Sequence, residues 1–206
     1  MIKTFSVETG LLLIDVQKGV DELRHWGGPN GKRNNPEAEK NIEKLLKAWR
    51  MKGLSVFYTV HDSREKASPL KLTLPGGEIK SGLKPEKGEF VVKKDVNSGF
   101  IGTPLEILLR RKHVTRMVAA GFFTNMCVDT TVRMAGNLGF DTYLAADACA
   151  CTNRMGPDGR DYDAQMVHDI SVANLHGEFC TALKTREVLA LLEDDIEKLN
   201  RVQGNE

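Results

Sequence analysis

The sequence lacks the features that mark membrane proteins and nucleic-acid-binding proteins. No apolar run approaches the ~20 residues that a membrane-spanning helix needs. The 29 basic and 28 acidic residues nearly cancel to a net charge of +1, and no basic stripe or acidic tail would attract nucleic acid or an anionic membrane. The first apolar run is also too short for a signal peptide. We therefore expect a cytoplasmic protein that binds a small molecule, without nucleic-acid or membrane partners.

Cysteine is scarce, with only Cys127, Cys149, Cys151 and Cys180. In a reducing compartment these residues should be free thiols rather than disulfide halves. The spacing of Cys149 and Cys151 is not that of a zinc knuckle, and no second pair of Cys or His residues stands at a matching distance. The sequence therefore predicts neither a disulfide framework nor a structural metal, and we expect no cofactor.

Apolar segments typical of strands alternate with segments of helical pattern along the 206 residues. Strands are predicted over residues 10–16, 54–60, 89–94, 115–122, 140–147 and 178–184. Helices are predicted from Pro36 to a stop at Gly53 and over 103–111, 125–138, 161–176 and 185–199. This alternation predicts an α/β fold with a parallel sheet and helices on both faces. Because no repeat or linker divides the chain, we expect a single domain over residues 1–206.

Two helix starts carry capping signals. Asn35 precedes Pro36 as the predicted N-cap of the first helix. Thr103 and Pro104 occupy the same positions in the second, with Glu106 where the reciprocal residue of a capping box would stand.

Two longer segments, residues 21–34 and 61–88, show no clear pattern. Segments of this length are either functional loops or disordered, and the sequence leaves both alternatives open.

Several reactive side chains stand where predicted strands end. In open parallel sheets, ligands bind beyond the carboxyl ends of the strands, and the residues found there are Asp15, His61, Asp62, Lys94, Cys127 and Asp147. Taken singly, Asp15 could cap a turn, Lys94 could be solvated and Cys127 could be a core residue. Their joint placement on one edge favours a reactive site.

The chemistry of an acid, a lysine and a thiol fits acyl transfer on a carbonyl. A thiol at the first turn of a helix should have a lowered pKa, because it feels the positive end of the helix dipole. A nearby lysine should lower that pKa further, and an aspartate within reach can take the thiol proton. Backbone N–H groups at the helix start can form an oxyanion hole.

The segments "LLLIDVQ", "VVKKDVNSGFIGTPLE" and "GFFTNMCVDTTVRMAGNLGFDTYLAADAC" occur in this order and resemble the isochorismatase-like cysteine hydrolase superfamily. That superfamily includes nicotinamidases, N-carbamoylsarcosine amidohydrolases and ureidoacrylate or biuret amidohydrolases. The similarity extends from about residue 10 to residue 190. It implies a Rossmann-like three-layer α/β/α fold with a six-stranded parallel sheet.

The resemblance also implies a catalytic Asp-Lys-Cys triad. The aspartate of the family corresponds to Asp15 and its cysteine to Cys127. Its lysine precedes the phenylalanine of an "SxF" motif by six positions, which selects Lys94 over Lys93.

Family members further carry a cis peptide bond shortly before the cysteine, which here corresponds to Phe122–Phe123. The resemblance implies that the N–H groups of Phe123 and Cys127 form the oxyanion hole. Aromatic residues could line the substrate pocket, namely Trp26, Phe100 and Phe122. Packing is the commoner role of such residues, and Phe100 is the best placed for substrate contact.

Together these features predict a cysteine-dependent hydrolase that cleaves a C–N bond of a small amide, ureide or carbamoyl compound through a thioester. We expect no metal, because the second histidine of metal-dependent nicotinamidases is missing after His61. A homo-oligomer is also expected. The alternatives are a redox-active thiol protein, although no resolving cysteine is close in sequence to Cys127, a vinyl-ether hydrolase of the isochorismatase type, and an inactive scaffold.

Overall fold

Six parallel strands form the centre of the molecule. The computed structural model describes residues 4–192. The described residues form eight strands in all, namely β1 (Thr9–Ile14), β2 (Val56–His61), β3 (Phe90–Lys94), β4 (Arg116–Phe122), β5 (Asp141–Ala150), β6 (Arg154–Met155), β7 (Asp161–Tyr162) and β8 (Thr181–Leu183). The main sheet has the order β3-β2-β1-β4-β5-β8, and each neighbouring pair is parallel. Strands β6 and β7 form a separate antiparallel pair. The predicted α/β fold with a six-stranded parallel sheet is confirmed.

Helices connect the strands and cover the sheet. They are α1 (Leu23–Gly27), α2 (Ala38–Met51), α3 (Leu105–Arg111), α4 (Asp129–Asn137), α5 (Ala164–Leu175) and α6 (185–192). The predicted helix over 185–199 is described as far as residue 192, and its remaining residues lie outside the described part. No helix within residues 4–192 is long and apolar enough to cross a membrane.

The core is built from the strands and one face of α2. All six residues of β1 are buried, as expected for a central strand covered on both sides. Helix α2 buries residues at helical spacing, namely Ala38, Ile42, Leu45, Leu46 and Trp49. Each large apolar side chain removed from water contributes about 1.5–3 kcal/mol. The Trp49 indole N–H also donates to the carbonyl of Thr9 at 3.1 Å, which ties α2 to β1.

The predicted cap of α2 is wrong, and that of α3 forms only in part, because the Thr103 hydroxyl accepts the N–H of Leu105 at 3.3 Å. Asn35 adopts a left-handed φ of +43°, and its amide donates to the carbonyl of Cys149 at 2.7 Å. This long-range bond outweighs local capping, so α2 starts two residues later, at Ala38. The Glu106 carboxylate bonds to Arg110 at 2.8 Å, so it does not complete a capping box with Thr103.

Several predicted boundaries shift. Strand β5 continues to Ala150 rather than ending at 147, β8 covers only Thr181–Leu183, and α5 begins at Ala164. The Asp163 carboxylate accepts the N–H of Gln165 at 2.8 Å and caps α5 there. The predicted helix over 125–138 is also divided, because a π-helical turn precedes α4.

Both patternless segments are folded against the sheet. Residues 61–88 include two short 3₁₀ turns, Pro75–Gly77 and Ser81–Leu83, and bury Leu70 and Leu83. Residues 21–34 include α1. Of the two alternatives left by the sequence, disorder is therefore wrong.

Candidate active site

Three strand ends and the turn after β4 bring an acid, a base, a cation and a thiol together. The ammonium nitrogen of Lys94 lies 2.6 Å from Asp15 Oδ2, 2.9 Å from His61 Nδ1 and 3.3 Å from Cys127 Sγ. Asp15 follows β1, His61 ends β2 and Lys94 ends β3. Because these strands are parallel neighbours and His61 pairs with Lys94 in register, their side chains meet at the carboxyl edge of the sheet.

The carboxylate of Asp15 is held on both oxygens. Its second oxygen, Oδ1, accepts the hydroxyl of Thr59 at 2.6 Å, and its backbone N–H donates to the Thr59 carbonyl at 3.1 Å. Asp15 also has a left-handed φ of +51°, which turns the chain sharply where β1 ends. Thr59 was missed by sequence reasoning, since only the register of β1 against β2 reveals its contact.

The ion pair of Asp15 and Lys94 is almost completely removed from water. Their side chains are 1% and 0% exposed. Burial alone would lower the pKa of Lys94, but the charge of Asp15 and the neighbouring Cys127 sulfur outweigh it and raise that pKa above its ordinary value. Lys94 is therefore a permanent cation at neutral pH, and a buried cation of this kind needs its paired carboxylate.

Cys127 lies in the π-helical turn Thr124–Val128, immediately before α4. Its side chain is buried, and burial together with the charge of Asp15 raises the pKa of the thiol against the opposing effect of Lys94. The predicted lowering of the thiol pKa by a helix start and a lysine is therefore wrong. Desolvation of the sulfur decides the direction, and the resting site contains a neutral thiol beside an ion pair.

The peptide bond between Phe122 and Phe123 is cis, as the resemblance implies. The Trp26 ring packs against that of Phe123 with centroids 5.1 Å apart, and its indole N–H donates to the Gly19 carbonyl at 2.8 Å. Phe122 is buried in the core, and Phe100 stacks on Phe140 at 6.0 Å. Substrate contact by Trp26, Phe100 and Phe122, and the oxyanion role of Phe123 and Cys127, stay predictions.

Two of the strand-end residues have other partners. The Asp62 carboxylate pairs with Lys93 at 2.7 Å. Asp147 lies within β5 and accepts both the N–H and the hydroxyl of Thr185, at 2.6 Å and 2.7 Å. These contacts fix a loop and the start of α6, so neither carboxylate belongs to the cluster around Lys94.

The cluster has the donor set of a metal site but already contains a cation. Asp15, His61 and Cys127 each offer one ligand atom, and these atoms lie within 4.8 Å of one another. The ammonium of Lys94 contacts all three, so a metal ion would have to displace it and desolvate a second positive charge. This geometry does not fit a resident metal, and the expectation of none stays a prediction.

The sequence matches the family model of the isochorismatase domain over residues 9–185. It is 44% identical over 179 residues to the isochorismatase family protein YrdC of Bacillus subtilis, covering 87% of this chain and 93% of that protein. It is 31% identical over 133 residues to the ureidoacrylate amidohydrolase RutB of Klebsiella pneumoniae, covering 60% of this chain and 53% of that protein.

The structure is also similar to that of an isochorismatase-family hydrolase from Chromobacterium violaceum. The TM-score is 0.86 at 43% sequence identity, covering 93% of this chain and 97% of the other. With a family model that matches most of the chain and a relative similar over nearly its whole length, the chain belongs to the isochorismatase family of hydrolases.

Proposed function

We propose that the protein hydrolyses a C–N bond of a small amide, ureide or carbamoyl compound, with Cys127 as the nucleophile. The observation that carries this proposal is the single buried ammonium of Lys94, which contacts both the Asp15 carboxylate and the Cys127 sulfur. The partial likeness to a ureidoacrylate amidohydrolase, an enzyme of C–N chemistry, supports the same class.

The first half-reaction transfers the acyl group to the sulfur. The neutral Cys127 thiol gives its proton to Asp15 as the sulfur attacks the carbonyl carbon, so that a C–S bond forms while the S–H bond breaks. Lys94 stabilises the negative charge on the sulfur and the carbonyl oxygen takes the electron pair, which the N–H groups of Phe123 and Cys127 would stabilise. Asp15 then protonates the leaving nitrogen, and the C–N bond breaks.

The second half-reaction hydrolyses the thioester. Asp15, again ionised, takes a proton from water, and the oxygen attacks the acyl carbon. The C–S bond breaks, and the proton on Asp15 returns to the sulfur. No redox partner is needed, and the site ends as a neutral thiol beside the Asp15–Lys94 pair.

A screen for ammonia release tests the proposal. Purified protein is incubated with small amides, ureides and carbamoyl compounds, in parallel with the Cys127→Ala variant. The matched control is Cys180→Ala, because Cys180 is a thiol as buried as Cys127 but lies outside the cluster. We expect at least one compound to be hydrolysed by the wild type and the control but not by Cys127→Ala. Equal activity of Cys127→Ala would contradict the proposal. A small-molecule substrate, a homo-oligomer and a cytoplasmic location stay predictions.

A further inference from the structure

The mechanism above leaves His61 without a role, although His61 contacts its central cation. An ammonium group has three N–H donors and no acceptor. Four acceptors surround the Lys94 nitrogen, at 2.6 Å for Asp15 Oδ2, 2.9 Å for His61 Nδ1, 3.2 Å for the Val96 carbonyl and 3.3 Å for Cys127 Sγ. His61 Nδ1 must therefore accept, and the ring proton of a neutral His61 lies on Nε2.

The position of His61 is fixed by a second buried side chain. The Gln17 amide accepts the backbone N–H of His61 at 2.7 Å and donates to the carbonyls of His61 and Gly77, both at 3.0 Å. Gln17 is fully buried, so this bridge is shielded from competition by water. The imidazole is thus held against Lys94 by its own strand and by the segment that follows β1.

Titratable groups surround the imidazole from the ends of β1, β2 and β3 and from the turn after β4, namely Asp15, Asp62, Lys94, Asp95 and Cys127. Burial lowers the pKa of His61, and the charge of Lys94 lowers it further, against the opposing charges of the aspartates. Asp62 is paired with Lys93 and Asp95 with Arg64. At neutral pH the imidazole is therefore neutral and able to accept.

We propose that His61 is a positioning residue: its neutral imidazole accepts one N–H of Lys94 and so holds the ammonium between Asp15 and Cys127. Protonation of His61 would turn this acceptor into a donor facing another donor at 2.9 Å. The ammonium would then have to move away from His61, and with it from the sulfur. The inference rests on the proposed function for the roles of Lys94 and Cys127.

Alkylation of Cys127 by iodoacetamide tests this role without a substrate. The rate of modification is followed by peptide mass spectrometry between about pH 5 and pH 8, the range in which histidine titrates. Wild type is compared with His61→Asn, whose amide oxygen can accept at any pH, and with His61→Leu, which cannot accept. The control is His113→Asn, because His113 is exposed and has a left-handed φ of +55° that asparagine tolerates.

We expect His61→Leu to be alkylated about tenfold more slowly at neutral pH, the cost of losing one hydrogen bond to a charged group. His61→Asn should keep most of the alkylation rate at neutral pH. As the pH is lowered, its alkylation rate should fall with a midpoint at a lower pH than that of the wild type. A merely structural role for His61 would not move that midpoint. His113→Asn should match the wild type.

The outcomes separate this inference from the proposed function. Suppose that the wild type is alkylated first at Cys127, but that the alkylation rates of His61→Asn and the wild type fall with the same pH midpoint. The proposed role of His61 is then wrong, while the assignment of Cys127 as the nucleophile is unaffected. If the wild type is alkylated first at Cys149, Cys151 or Cys180, the proposed nucleophile itself is wrong. Should His61→Leu fail to fold, the pH midpoints of alkylation of His61→Asn and the wild type still decide whether His61 has the proposed role.

Discussion

A single buried cation organises the site at the scale of residues. Asp15 and Cys127 both interact with the Lys94 ammonium. Without it, the one negative charge that moves from the carboxylate to the sulfur during proton transfer would lie in a buried site with no counter-ion. In a low-dielectric interior the attraction of such a counter-ion is far stronger than in water. The raised pKa of the Cys127 thiol agrees with the proposed mechanism, in which the sulfur loses its proton only as it attacks the carbonyl carbon.

Metal independence is a prediction at this scale. The ammonium of Lys94 already occupies the space between the ligand atoms of Asp15, His61 and Cys127. We therefore expect hydrolytic activity to survive exhaustive dialysis against a chelator, with no metal detected by elemental analysis of active protein. Loss of activity on chelation, with recovery on adding zinc or iron, would refute this prediction.

The sequence predicts which residues come together at the candidate site, but not all of their contacts or the direction of their pKa shifts. Asp15, Lys94 and Cys127 are recognisable because they lie at or just past the ends of predicted strands and stand in motifs that resemble a known family. The contact of Thr59 with Asp15 depends on the register of β1 against β2, which no local pattern encodes. The wrong expectation for the thiol pKa has the same origin, because the depth of burial of Cys127 is a property of the folded chain.

At the scale of elements, β4 lies tightly against β1 just before the cis peptide bond. Gly121 pairs with Ile14, the residue that precedes Asp15. A Cβ atom on Gly121 would lie 2.1 Å from the Ile14 carbonyl oxygen, and its φ is +133°. Only glycine fits this approach, and the strand pairing between β4 and β5 also shifts register here.

Gly121→Ala should therefore destabilise the fold by about 3 kcal/mol or more, through both the clash and the unfavourable φ. Gly139→Ala is the matched control, since Gly139 has a φ of +83° but open space around it, and it should cost only about 1 kcal/mol. Urea unfolding measures both. Equal costs for the two variants would show that the approach of β4 to β1 is not the constraint.

The sequence predicts the strands and helices themselves better than the residues at which they begin and end. Each predicted strand corresponds to a strand of the sheet, because the apolar runs of a doubly covered sheet are distinctive. The start of α2 at Ala38 was not predictable, because the long-range bond of Asn35 to the carbonyl of Cys149 removes Asn35 from the helix start.

At the scale of the whole molecule, one ionic cluster joins the segment 21–34 and the start of α2 to the distant segment 61–88. Arg33 bonds Glu39 at 2.7 Å and 2.8 Å, and Lys80 bonds Glu39 at 3.0 Å and Asp21 at 2.5 Å. The two cations lie over the Phe122 ring, 5.3 Å and 5.8 Å from its centroid. The cluster thereby holds both patternless segments and α2 beside the peptide bond that leads into the turn carrying Cys127.

The cluster should contribute pH-dependent stability. Burial opposes ionisation of Glu39, but hydrogen bonds from Arg33 and Lys80 outweigh it and lower the pKa of Glu39 below its ordinary value of 4.5. A carboxyl whose pKa is lowered by folding stabilises the fold above its unfolded pKa, and this contribution disappears as the pH falls through the folded pKa.

Glu39→Gln should thus lower the free energy of unfolding by about 1 kcal/mol at neutral pH, and the difference from wild type should shrink below pH 4.5. The control is Glu37→Gln, because the Glu37 carboxylate pairs with the exposed side chain of Lys40. This variant should unfold like the wild type. Thermal unfolding at several pH values measures the effect. A deficit of Glu39→Gln that persists unchanged at acid pH would refute the cluster's role.

The fold class was predictable at this scale, and the strand order was not. Alternation of strands and helices indicates a parallel sheet, whereas the order β3-β2-β1-β4-β5-β8 depends on which crossover packs on which face. The ionic cluster could not be predicted from the sequence either. Arg33 and Lys80 have no local pattern that distinguishes them from other surface charges, and only the folded chain brings both to Glu39.

The central claim, that Asp15, Lys94 and Cys127 act as one unit, is tested most directly by turnover of combined variants. On a substrate found by the ammonia screen, kcat is measured for Asp15→Asn, Lys94→Met, Cys127→Ser and the Asp15→Asn/Cys127→Ser double variant, with folding checked by circular dichroism. We expect each single change to lower kcat by about 10⁴-fold and the double variant to lose scarcely more, because interdependent residues are not additive. Near wild-type turnover of Asp15→Asn, or losses that multiply in the double variant, would contradict the account.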